Sequence, residues 1–411
     1  MSSFAPASLD ELRDAIGDAL AAKEPLEVVA GGSKRDLGRP LQLPRTLDLS
    51  RLSGIREYQP SELVLTAGAA IPVEEIETAL ATAGQMLAFE PPNWGNLLGV
   101  SPSVARQRTL GGVLACNLSG PRRLKAGAAR DHFLGFRGVS GRGEIFKAGG
   151  KVVKNVTGYD LCKLMAGSYG TLAALEEVTV KVVPGPETAV TVVVCGLDAS
   201  AAVRCLRRAL ASPHEISSAA YITPSLTASF SGLAGVGGAA ALRLEGPAPS
   251  VTYRCERLLA DLASGRDALV LDEGASKVLW QEIRNVSPFA ARDANRAVWR
   301  LSVPPTRGAE LAEEIARHLD ADWYLDWGGG LVWVAVPAGG DGGAAAIRAT
   351  IRGGDGRGTG HATLIRGSPG LRRTVPVFEP QPAALAALAA RVKDGFDPRR
   401  ILNPGRIVDG S

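Results

Sequence analysis

The chain has 411 residues, more than one hydrophobic core usually supports, and we therefore expect two or more domains. Its 45% hydrophobic and 21% charged residues are ordinary for a soluble globular protein. The 46 basic and 42 acidic residues give a net charge of +4 and are scattered along the chain. This distribution argues against a nucleic-acid-binding protein, whereas diffuse positive charge suits an anionic cofactor or substrate.

The N-terminus carries acidic residues where a secretory signal peptide needs an apolar core. Asp10, Glu11 and Asp14 lie in this region, and Ser8 followed by Glu11 predicts a capping box at the start of an amphipathic helix. Apolar runs elsewhere are far shorter than a membrane span, so no transmembrane segment is predicted. The sequence indicates a cytoplasmic protein that is at most peripheral to a membrane.

The cysteines and histidines do not follow a metal-binding pattern. Five cysteines occur without a CxxC pair, and the four histidines are far apart in the sequence. We therefore predict no metal site built from this chain. The chemistry is expected to come from an organic cofactor or from carboxylates and lysines.

Strands and helices alternate at the start of the chain. Residues 26–30 predict a buried strand that ends in a glycine-rich turn, where backbone amides commonly meet phosphate. A second strand is predicted at 63–66 and a helix at 72–83, with Pro72 in a favourable first position. These elements predict mixed helix and strand structure in the first domain.

Residues 90–130 are rich in Gly, Pro, Ser and Asn and are too long for a simple connection. Their short apolar insertions favour an ordered loop that is shaped by a ligand. A β-hairpin is predicted at 133–139 and 144–147, and a last strand ends at Pro184.

The sequence PGPE at 184–187 predicts a domain boundary, because two prolines flank a glycine between strand-like runs. Beyond it, two successive β-α-β patterns predict two ferredoxin-like halves, and the terminal FDPRRILNPGRI predicts an extended strap. We therefore predict a first domain at 1–184, a second, α+β domain at 185–390 and a strap at 391–411 that returns to the first domain.

Glycines are concentrated in three segments of the first half, at 31–34, 109–123 and 149–171. No P-loop motif is present, and the nearest approach to GxGxxG, at Gly141, lacks the third glycine and lies in the predicted hairpin. A P-loop or Rossmann nucleotide site is therefore disfavoured.

The order of these segments resembles the FAD-binding domain of the vanillyl-alcohol oxidase flavoproteins, also called the PCMH-type FAD domain. Within that family the chain is most similar to the FAD-binding subunits of bacterial glycolate oxidases, through TLGGVLACNLSGPRR, ARDHFLGFRGVSGRG, GGKVVKNVTGYDLCKLMAGSYGTLAALEEVTVKVVP and GHATLIRG. The terminal FDPRRILNPGRI resembles the closing motif of FAD-linked oxidases. The resemblance implies an α+β fold, with a PCMH-type domain of two α/β subdomains and a ferredoxin-like cap domain.

The resemblance also implies which residues bind FAD. A pyrophosphate needs several N–H groups close together, which glycine permits, and a lysine near the flavin would stabilise the negative charge of the reduced ring. The predicted FAD-binding residues are Gly31, Gly32, Ser33, Lys34, Thr109, Gly111, Gly112, Asn117, Ser119, Gly120, Arg130, Asp131, Lys154, Asn155, Gly158, Tyr159, Gly167, Ser168, Gly170 and Thr171.

Two departures from the family pattern bear on the chemistry. The predicted pyrophosphate loop lacks the histidine that tethers FAD in some members, so noncovalent binding is expected. Members that oxidise D-2-hydroxy acids carry paired metal-binding histidines near a Gly-Asp-Gly-Asn run. Here Arg357 replaces the asparagine, and His361 is the single histidine of that segment. The resemblance then implies that the complete histidine motif belongs to a larger related subunit.

Three hypotheses follow. In the first, the chain is a noncatalytic to weakly catalytic FAD subunit that participates in electron transfer within a heteromeric 2-hydroxy-acid dehydrogenase that oxidises glycolate to glyoxylate. Its partners would be a larger related FAD subunit and an iron-sulfur subunit that receives electrons, and these would hold it at the cytoplasmic face of the inner membrane. In the second, the chain is a self-sufficient dehydrogenase with His361 as general base and Arg300 or Arg366 binding the substrate carboxylate. In the third, it is a flavin-free structural paralogue.

Overall fold

The computed structural model describes residues 2–99, 107–151, 158–262, 265–291, 295–353 and 360–408. The predicted FAD-binding residues Lys154 and Asn155, and the replaced asparagine position at Arg357, lie outside the described residues. Within the described ranges, no helix has the length and apolar character needed to cross a membrane.

The chain begins with a small parallel sheet covered by one helix. The elements are β1 (Ser2–Phe4), α1 (Leu9–Ala22), β2 (Leu26–Val29) and β3 (Arg45–Asp48), and the strands pair in the order β1-β3-β2. Leu12, Ile16 and Ala19 recur on one face of α1 and are fully buried in a shared core with the sheet. Ser8 caps α1 as predicted, because its Oγ accepts the amide of Glu11 at 3.2 Å.

The next region forms a five-stranded antiparallel sheet with the order β4-β5-β9-β7-β8. The predicted hairpin is confirmed as β7 and β8, and the predicted 90–130 loop contains three short helices among its described residues. The elements are β4 (Ile55–Gln59), a 3-10 helix (Pro60–Glu62), β5 (Val64–Gly68), α2 (Val73–Ala81), β6 (Gln85–Met86), α3 (Leu110–Ala115), α4 (Arg123–Ala126), α5 (Ala129–His132), β7 (Phe133–Ser140), β8 (Ile145–Gly149), α6 (Leu161–Met165), β9 (Ala173–Lys181) and β10 (Val183–Pro184).

The chain after Pro184 forms one eight-stranded antiparallel sheet, here called the cap sheet. Its elements are β11 (Thr188–Val194), α7 (Ala199–Leu210), β12 (Ser218–Ile222), a 3-10 helix (Thr227–Ser229), β13 (Ala239–Gly246), α8 (Ala248–Leu262), β14 (Ala268–Leu271), α9 (Glu273–Asn285), α10 (Ser287–Ala291), β15 (Arg296–Ser302), α11 (Gly308–His318), β16 (Asp322–Asp326), a 3-10 helix (Trp327–Gly329), β17 (Leu331–Pro337), α12 (Ala344–Arg352) and β18 (His361–Arg366).

Two ferredoxin-like halves make up the cap sheet, as predicted from the repeated β-α-β pattern. The strand order is β14-β11-β13-β12-β16-β17-β15-β18, so the last strand of each half lies at an outer edge beside the first. The halves join where β12 pairs with β16, with Tyr221 opposite Leu325. Helices α9 and α10 connect the halves and were not predicted.

The cap sheet is covered on both faces. One face packs against α7, α8, α11 and α12. The other contributes Tyr324, Trp327 and Trp333 to the core that also contains α9 and the apolar residues of the N-terminal half. The Trp94 and Trp333 rings meet edge to face with centroids 5.4 Å apart. These contacts hold the cap sheet against the N-terminal half.

Buried ion pairs join the two halves at the same place, in what we call the seam cluster (Glu90, Arg122, Arg243 and Glu245). Arg243 donates to both carboxylate oxygens of Glu90, at 3.0 and 2.9 Å, and Arg122 donates to Glu245 at 2.5 Å. Arg243 and Arg122 outweigh the cost of burial and lower the pKa of Glu90 to about 2. Glu90 therefore stays ionised at physiological pH.

The C-terminal segment returns to the N-terminal half after α13 (Pro369–Thr374) and α14 (Ala383–Phe396). Helix α14 extends to Phe396, so residues 391–396 of the predicted strap are helical and its extended part begins at Asp397. Leu402 forms a parallel bridge to Leu26 of β2, and Asn403 Oδ1 accepts the amide of Val28 at 2.8 Å. The last strand-like residues thereby extend the edge of the first sheet. The proposed domain limits stay a prediction.

Replacing Glu90 tests how strongly the seam cluster stabilises the fold. Glu90→Gln leaves the buried Arg243 guanidinium without its main carboxylate partner and should lower the free energy of unfolding by about 3–5 kcal/mol. Glu57→Gln, which breaks the solvent-exposed pair of Glu57 with Lys151, is the control and should change it by less than about 1 kcal/mol. Urea denaturation followed by circular dichroism measures both. Equal effects of the two substitutions would contradict the importance of the buried cluster.

Candidate functional site

The turn after β2 exposes backbone because side chains do not fit there. A Cβ atom at Gly31 would lie 2.1 Å from the carbonyl oxygen of Gln107. Gly32 has a φ of +71°, in the left-handed region that favours glycine. Ser33 is buried, and the half-buried Lys34 donates from Nζ to Ser33 Oγ at 3.2 Å. The first predicted glycine segment therefore places a lysine beside open backbone.

The second glycine segment lies next to the first at the start of α3. Thr109 caps this helix, and its Oγ1 accepts the amide of Gly112 at 3.3 Å. A Cβ atom at Gly111 would lie 2.7 Å from the carbonyl oxygen of Ala69. A Cβ atom at Gly112 would approach the Nζ of Lys34 to 3.6 Å, so glycine leaves space in front of the ammonium group.

The third glycine segment approaches the other two through Tyr169 and Gly170. Both residues have positive φ, +54° and +68°, and the amide of Tyr169 donates to the carbonyl of Ala115 at 2.8 Å. A Cβ atom at Gly170 would lie 2.9 Å from the Nδ2 of Asn403. The turn is thus held between α3 and the C-terminal strap.

The three segments together line one cleft, here called the glycine cleft. The predicted residues that line it are Gly31, Gly32, Ser33, Lys34, Thr109, Gly111, Gly112 and Gly170. Lining residues that the sequence did not single out include Cys116, Tyr169, Asn403 and Arg406.

Lys34 is the cation of the glycine cleft that is available to a ligand. Burial lowers its pKa to about 8, and within the described part of the chain no carboxylate forms an ion pair with it. Arg406, by contrast, pairs with Glu27 at 3.2 Å and donates to the carbonyl of Arg35 at 2.8 Å. Burial raises the pKa of the Cys116 thiol to about 11, which keeps it neutral. Exposed backbone beside one uncompensated ammonium group fits the pyrophosphate of a dinucleotide.

Several predicted FAD-binding residues lie outside the cleft lining and support the loop before β7. Asn117 Oδ1 accepts the amide of Arg130 at 3.1 Å, and Ser119 Oγ accepts the amide of Ala129 at 2.9 Å. Asp131 caps the short helix that contains it. These contacts position backbone, and a direct role in FAD binding stays a prediction for each.

Other predicted residues lie behind the cleft wall. The carbonyl of Gly120 accepts the indole N–H of Trp327 at 3.1 Å, which links the N-terminal half to the cap sheet. The amide of Gly167 donates to the carbonyl of Leu114, and Thr171 Oγ1 donates to the carbonyl of Ser168. These residues shape the turn that carries Tyr169.

Gly158 and Tyr159 lie at the surface and do not line the glycine cleft. The Tyr159 side chain is 92% exposed, and Gly158 has open space around it. The neighbouring residues 152–157 lie outside the described residues. The predicted contribution of this part of the third segment therefore stays a prediction.

A second group of residues, here called the cationic cluster (Arg123, Arg300, Trp327 and His361), lies where the cap sheet faces the N-terminal half. Arg300 pairs with Thr363 and Ser302 pairs with His361 across β15 and β18, which puts Arg300 and His361 on one face. The guanidinium carbons of Arg123 and Arg300 lie 4.3 and 5.0 Å from the centroid of the Trp327 ring.

Electrostatics connect the cationic cluster to the glycine cleft. Burial lowers the pKa of Arg300 to about 10, and Tyr169 interacts with its charge. Burial also raises the pKa of Tyr169 above its usual value, so the phenol stays protonated and can donate a hydrogen bond. Although His361 retains solvent exposure, partial burial and Arg300 lower its pKa, which favours the neutral imidazole. The group can bind an anion and accept a proton.

The third predicted catalytic residue, Arg366, has a different environment. Its Nε donates to the carbonyl of Arg296 at 3.1 Å, and its Nη1 donates to the carbonyl of Phe289 at 2.7 Å. These bonds hold α10 to the sheet. The structure therefore brings Arg300 and His361 together and favours Arg300 over Arg366 as a carboxylate ligand.

Comparisons with known proteins agree with this architecture. A family model described as FAD binding domain matches residues 3–149. The glycolate oxidase subunit GlcE of Escherichia coli strain K12 is 33% identical over 407 residues, which cover 98% of this chain and 97% of that protein. The glycolate oxidase subunit GlcD of Bacillus subtilis strain 168 is 31% identical over 203 residues, which are 48% of this chain and 40% of that subunit.

The fold is also found among solved structures. The 4-ethylphenol oxidase from Gulosibacter chungangensis superposes with a TM-score of 0.70 at 15% identity, covering 99% of this chain and 89% of that one. At this identity the likeness establishes the fold alone. The near-complete alignment with GlcE establishes more, and the chain therefore belongs to the family of the bacterial glycolate oxidase subunit GlcE, with an N-terminal FAD-binding domain.

Proposed function

We propose that the chain is the FAD-binding subunit of a heteromeric 2-hydroxy-acid dehydrogenase that oxidises glycolate to glyoxylate. The observation that carries this proposal is the convergence of three glycine segments on one cleft beside the uncompensated Lys34. The relative that aligns over nearly its whole length is named as a glycolate oxidase subunit, which supports the substrate.

The glycine cleft would hold FAD without a covalent bond. Backbone at Gly31, Gly32 and Gly112 would contact the pyrophosphate, with Lys34 as its counter-charge. Bound FAD would supply an acceptor for electrons within the complex. The match of residues 3–149 to the FAD-binding domain model argues against the flavin-free paralogue.

In the self-sufficient alternative, in which this chain itself reduces its flavin with substrate, the cationic cluster would bind the substrate carboxylate next to the cofactor site. Arg300 offers a planar guanidinium and Tyr169 a protonated phenol, both suited to a carboxylate. Neutral His361 would accept the proton of the substrate hydroxyl. Arg123 adds positive charge on Trp327 and lowers the cost of placing an anion there.

The proposed function also requires partner subunits. We infer that a larger related FAD subunit and an iron-sulfur subunit receive or relay the electrons, and that they hold this chain at the cytoplasmic face of the inner membrane. The similarity to GlcD, named as another subunit of glycolate oxidase, supports a related flavin subunit as partner.

A second candidate is a self-sufficient FAD-dependent 2-hydroxy-acid dehydrogenase. The position of Arg300 and His361 on one face, with Tyr169 between them and the glycine cleft, favours it. The two candidates differ in whether this chain alone reduces its flavin with substrate.

Flavin content and anaerobic reduction separate the candidates. We expect the purified chain to carry FAD that acid precipitation releases into the supernatant, because no covalent tether is predicted. Glycolate should bleach the flavin absorbance only after the larger FAD subunit is added. Bleaching of the isolated chain would favour the self-sufficient enzyme, and a colourless chain that does not take up added FAD would refute both candidates.

The pH dependence of FAD affinity tests the role of Lys34. The pKa of Lys34 in the free cleft is about 8, so the ammonium charge is present below this pH and is lost above it. FAD affinity should therefore fall by up to about tenfold per pH unit above pH 8, measured by quenching of flavin fluorescence. Lys34→Arg should remove this dependence and Lys34→Met should weaken binding roughly 10- to 100-fold. Lys125→Met, at an exposed lysine, is the control and should leave the affinity and its pH profile unchanged. A wild-type profile in Lys34→Met would contradict the assignment.

Substitution of Arg300 tests the carboxylate site of the self-sufficient candidate. Arg300→Gln should raise the KM for glycolate roughly 10- to 100-fold, because a charged hydrogen-bond donor to the carboxylate is lost, while FAD content stays normal. Arg317→Gln removes the same charge at an exposed position on α11 and should leave the KM unchanged. An unchanged KM in Arg300→Gln would place substrate binding elsewhere.

A further inference from the structure

A second cavity lies between the two halves of the chain, and we call it the seam cavity. It shares no lining residue with the glycine cleft. One wall is a face of α9, which contributes Ser276, Lys277, Gln281 and Arg284 at helical spacing. The remaining walls are β11, β13 and the seam cluster.

The charges around the seam cavity do not balance. Its lining includes four cationic side chains, Arg122, Arg243, Arg284 and Lys277, and three carboxylates, Glu90, Glu245 and Glu273. The seam cluster uses two of the cations and two of the carboxylates in mutual ion pairs. The lining outside the seam cluster therefore carries two cationic side chains, Arg284 and Lys277, and one carboxylate, Glu273.

Arg284 is held in place, but among the described residues no hydrogen-bond acceptor contacts its guanidinium, and Glu90 and Glu77 act on it only through their charge. Its carbonyl accepts the indole N–H of Trp94 at 3.1 Å, and its side chain packs on Gly120, where a Cβ atom would lie 3.1 Å from Arg284 Cδ. The Nε atom is buried without a hydrogen-bond partner. Among the residues that the structure describes, no carboxylate pairs with Arg284, and burial lowers its pKa even though Glu90 is near. An uncompensated guanidinium in such a place is costly unless an anion reaches it.

Two exposed polar side chains of the lining lie at the opening of the cavity. Lys277 and Gln281 are exposed on the same face of α9, and neither side chain has a partner in the described part of the chain. An ammonium and an amide at the opening can attract an anion and hydrogen-bond its second oxygen.

We propose that the seam cavity binds a small carboxylate monoanion, with Arg284 as its ion-pair partner and Lys277 at the entrance. A single negative charge matches the net charge of +1 from four cations and three carboxylates. The planar guanidinium matches the two oxygens of a carboxylate. Since α9 belongs to the cap and Glu90 and Arg122 to the N-terminal half, the bound anion strengthens the packing between them. The site is an effector site, separate from the cofactor and substrate sites of the proposed function.

The probe is acetate, which lacks the hydroxyl group that a 2-hydroxy-acid dehydrogenase oxidises. The thermal unfolding midpoint of the purified flavoprotein is measured in sodium acetate and in sodium chloride at equal pH and ionic strength. Acetate should raise the midpoint by roughly 1–3 °C in the wild type. The rise should persist in Arg317→Gln, which lacks an exposed charge, and in Arg300→Gln, which disables the substrate carboxylate site. It should be lost in Arg284→Gln.

Two outcomes would overturn the proposal. The first is an undiminished acetate effect in Arg284→Gln, and the second is its loss in Arg300→Gln alone, which would assign acetate to the substrate site. If Arg284→Gln does not fold, Lys277→Gln at an exposed position replaces it, with the acetate affinity from calorimetry expected to fall about 3- to 10-fold and an unchanged affinity refuting the site. An acetate effect that remains in a chain unable to bind FAD would support the seam cavity while the proposed function failed.

Discussion

The packing of the cap sheet against the N-terminal half depends on buried ion pairs between them. Glu90 lies in the N-terminal half and is bound by Arg243 of the cap sheet, within a region that also excludes water through Trp94 and Trp333. A buried ion pair contributes little net stability when it is compared with an apolar pair, but its loss on one side is costly. The pair therefore permits one register of the cap sheet on the N-terminal half and penalises others. The approach of Arg300 to Tyr169 requires that register.

The two halves contribute different chemistry to the site. The N-terminal half supplies open backbone, with side chains excluded at Gly31 and Gly111 by neighbouring carbonyl oxygens. The cap sheet supplies Arg300 and His361 from paired strands, where the spacing between side chains is fixed by the sheet. A cofactor site built from backbone tolerates substitution poorly at its glycines. The proposed substrate site, which is built from strand side chains, can change its preference by single substitutions without altering the proposed cofactor site.

The sequence predicted features that depend on local chemistry. Positive φ selects glycine at Gly32 and Gly170, and the glycine-rich segments located the cleft. The alternation of strands and helices predicted both ferredoxin-like halves. The residues that were missed act over long separations in the chain: Asn403 bonds to Val28, and Arg123 meets Arg300 on Trp327. Nothing in the local sequence distinguishes such residues from ordinary surface or core positions.

The difference between local sequence signals and long-range contacts also explains why some predicted FAD-binding residues lie outside the cleft lining. Asn117 and Ser119 have the hydrogen-bonding groups of cofactor ligands, and the sequence cannot say whether the bonds go to a ligand or to neighbouring amides. Arg300 and Arg366 are equivalent by residue type, and only the fold gives Arg366 two backbone carbonyls. Residue type indicates which side chains could bind a ligand. Tertiary contacts determine which of them remain available to do so.

The strap has a consequence for the order in which the protein is made. Asn403 and Arg406 form part of the wall of the glycine cleft, and Asn403 pairs with Val28, 375 positions earlier in the chain. During translation, the first two glycine segments emerge long before the residues that close the wall beside them. The proposed cofactor site can therefore be completed only after residues 403–406 have been made. Until then the cleft lacks the part of its wall that Asn403 and Arg406 supply.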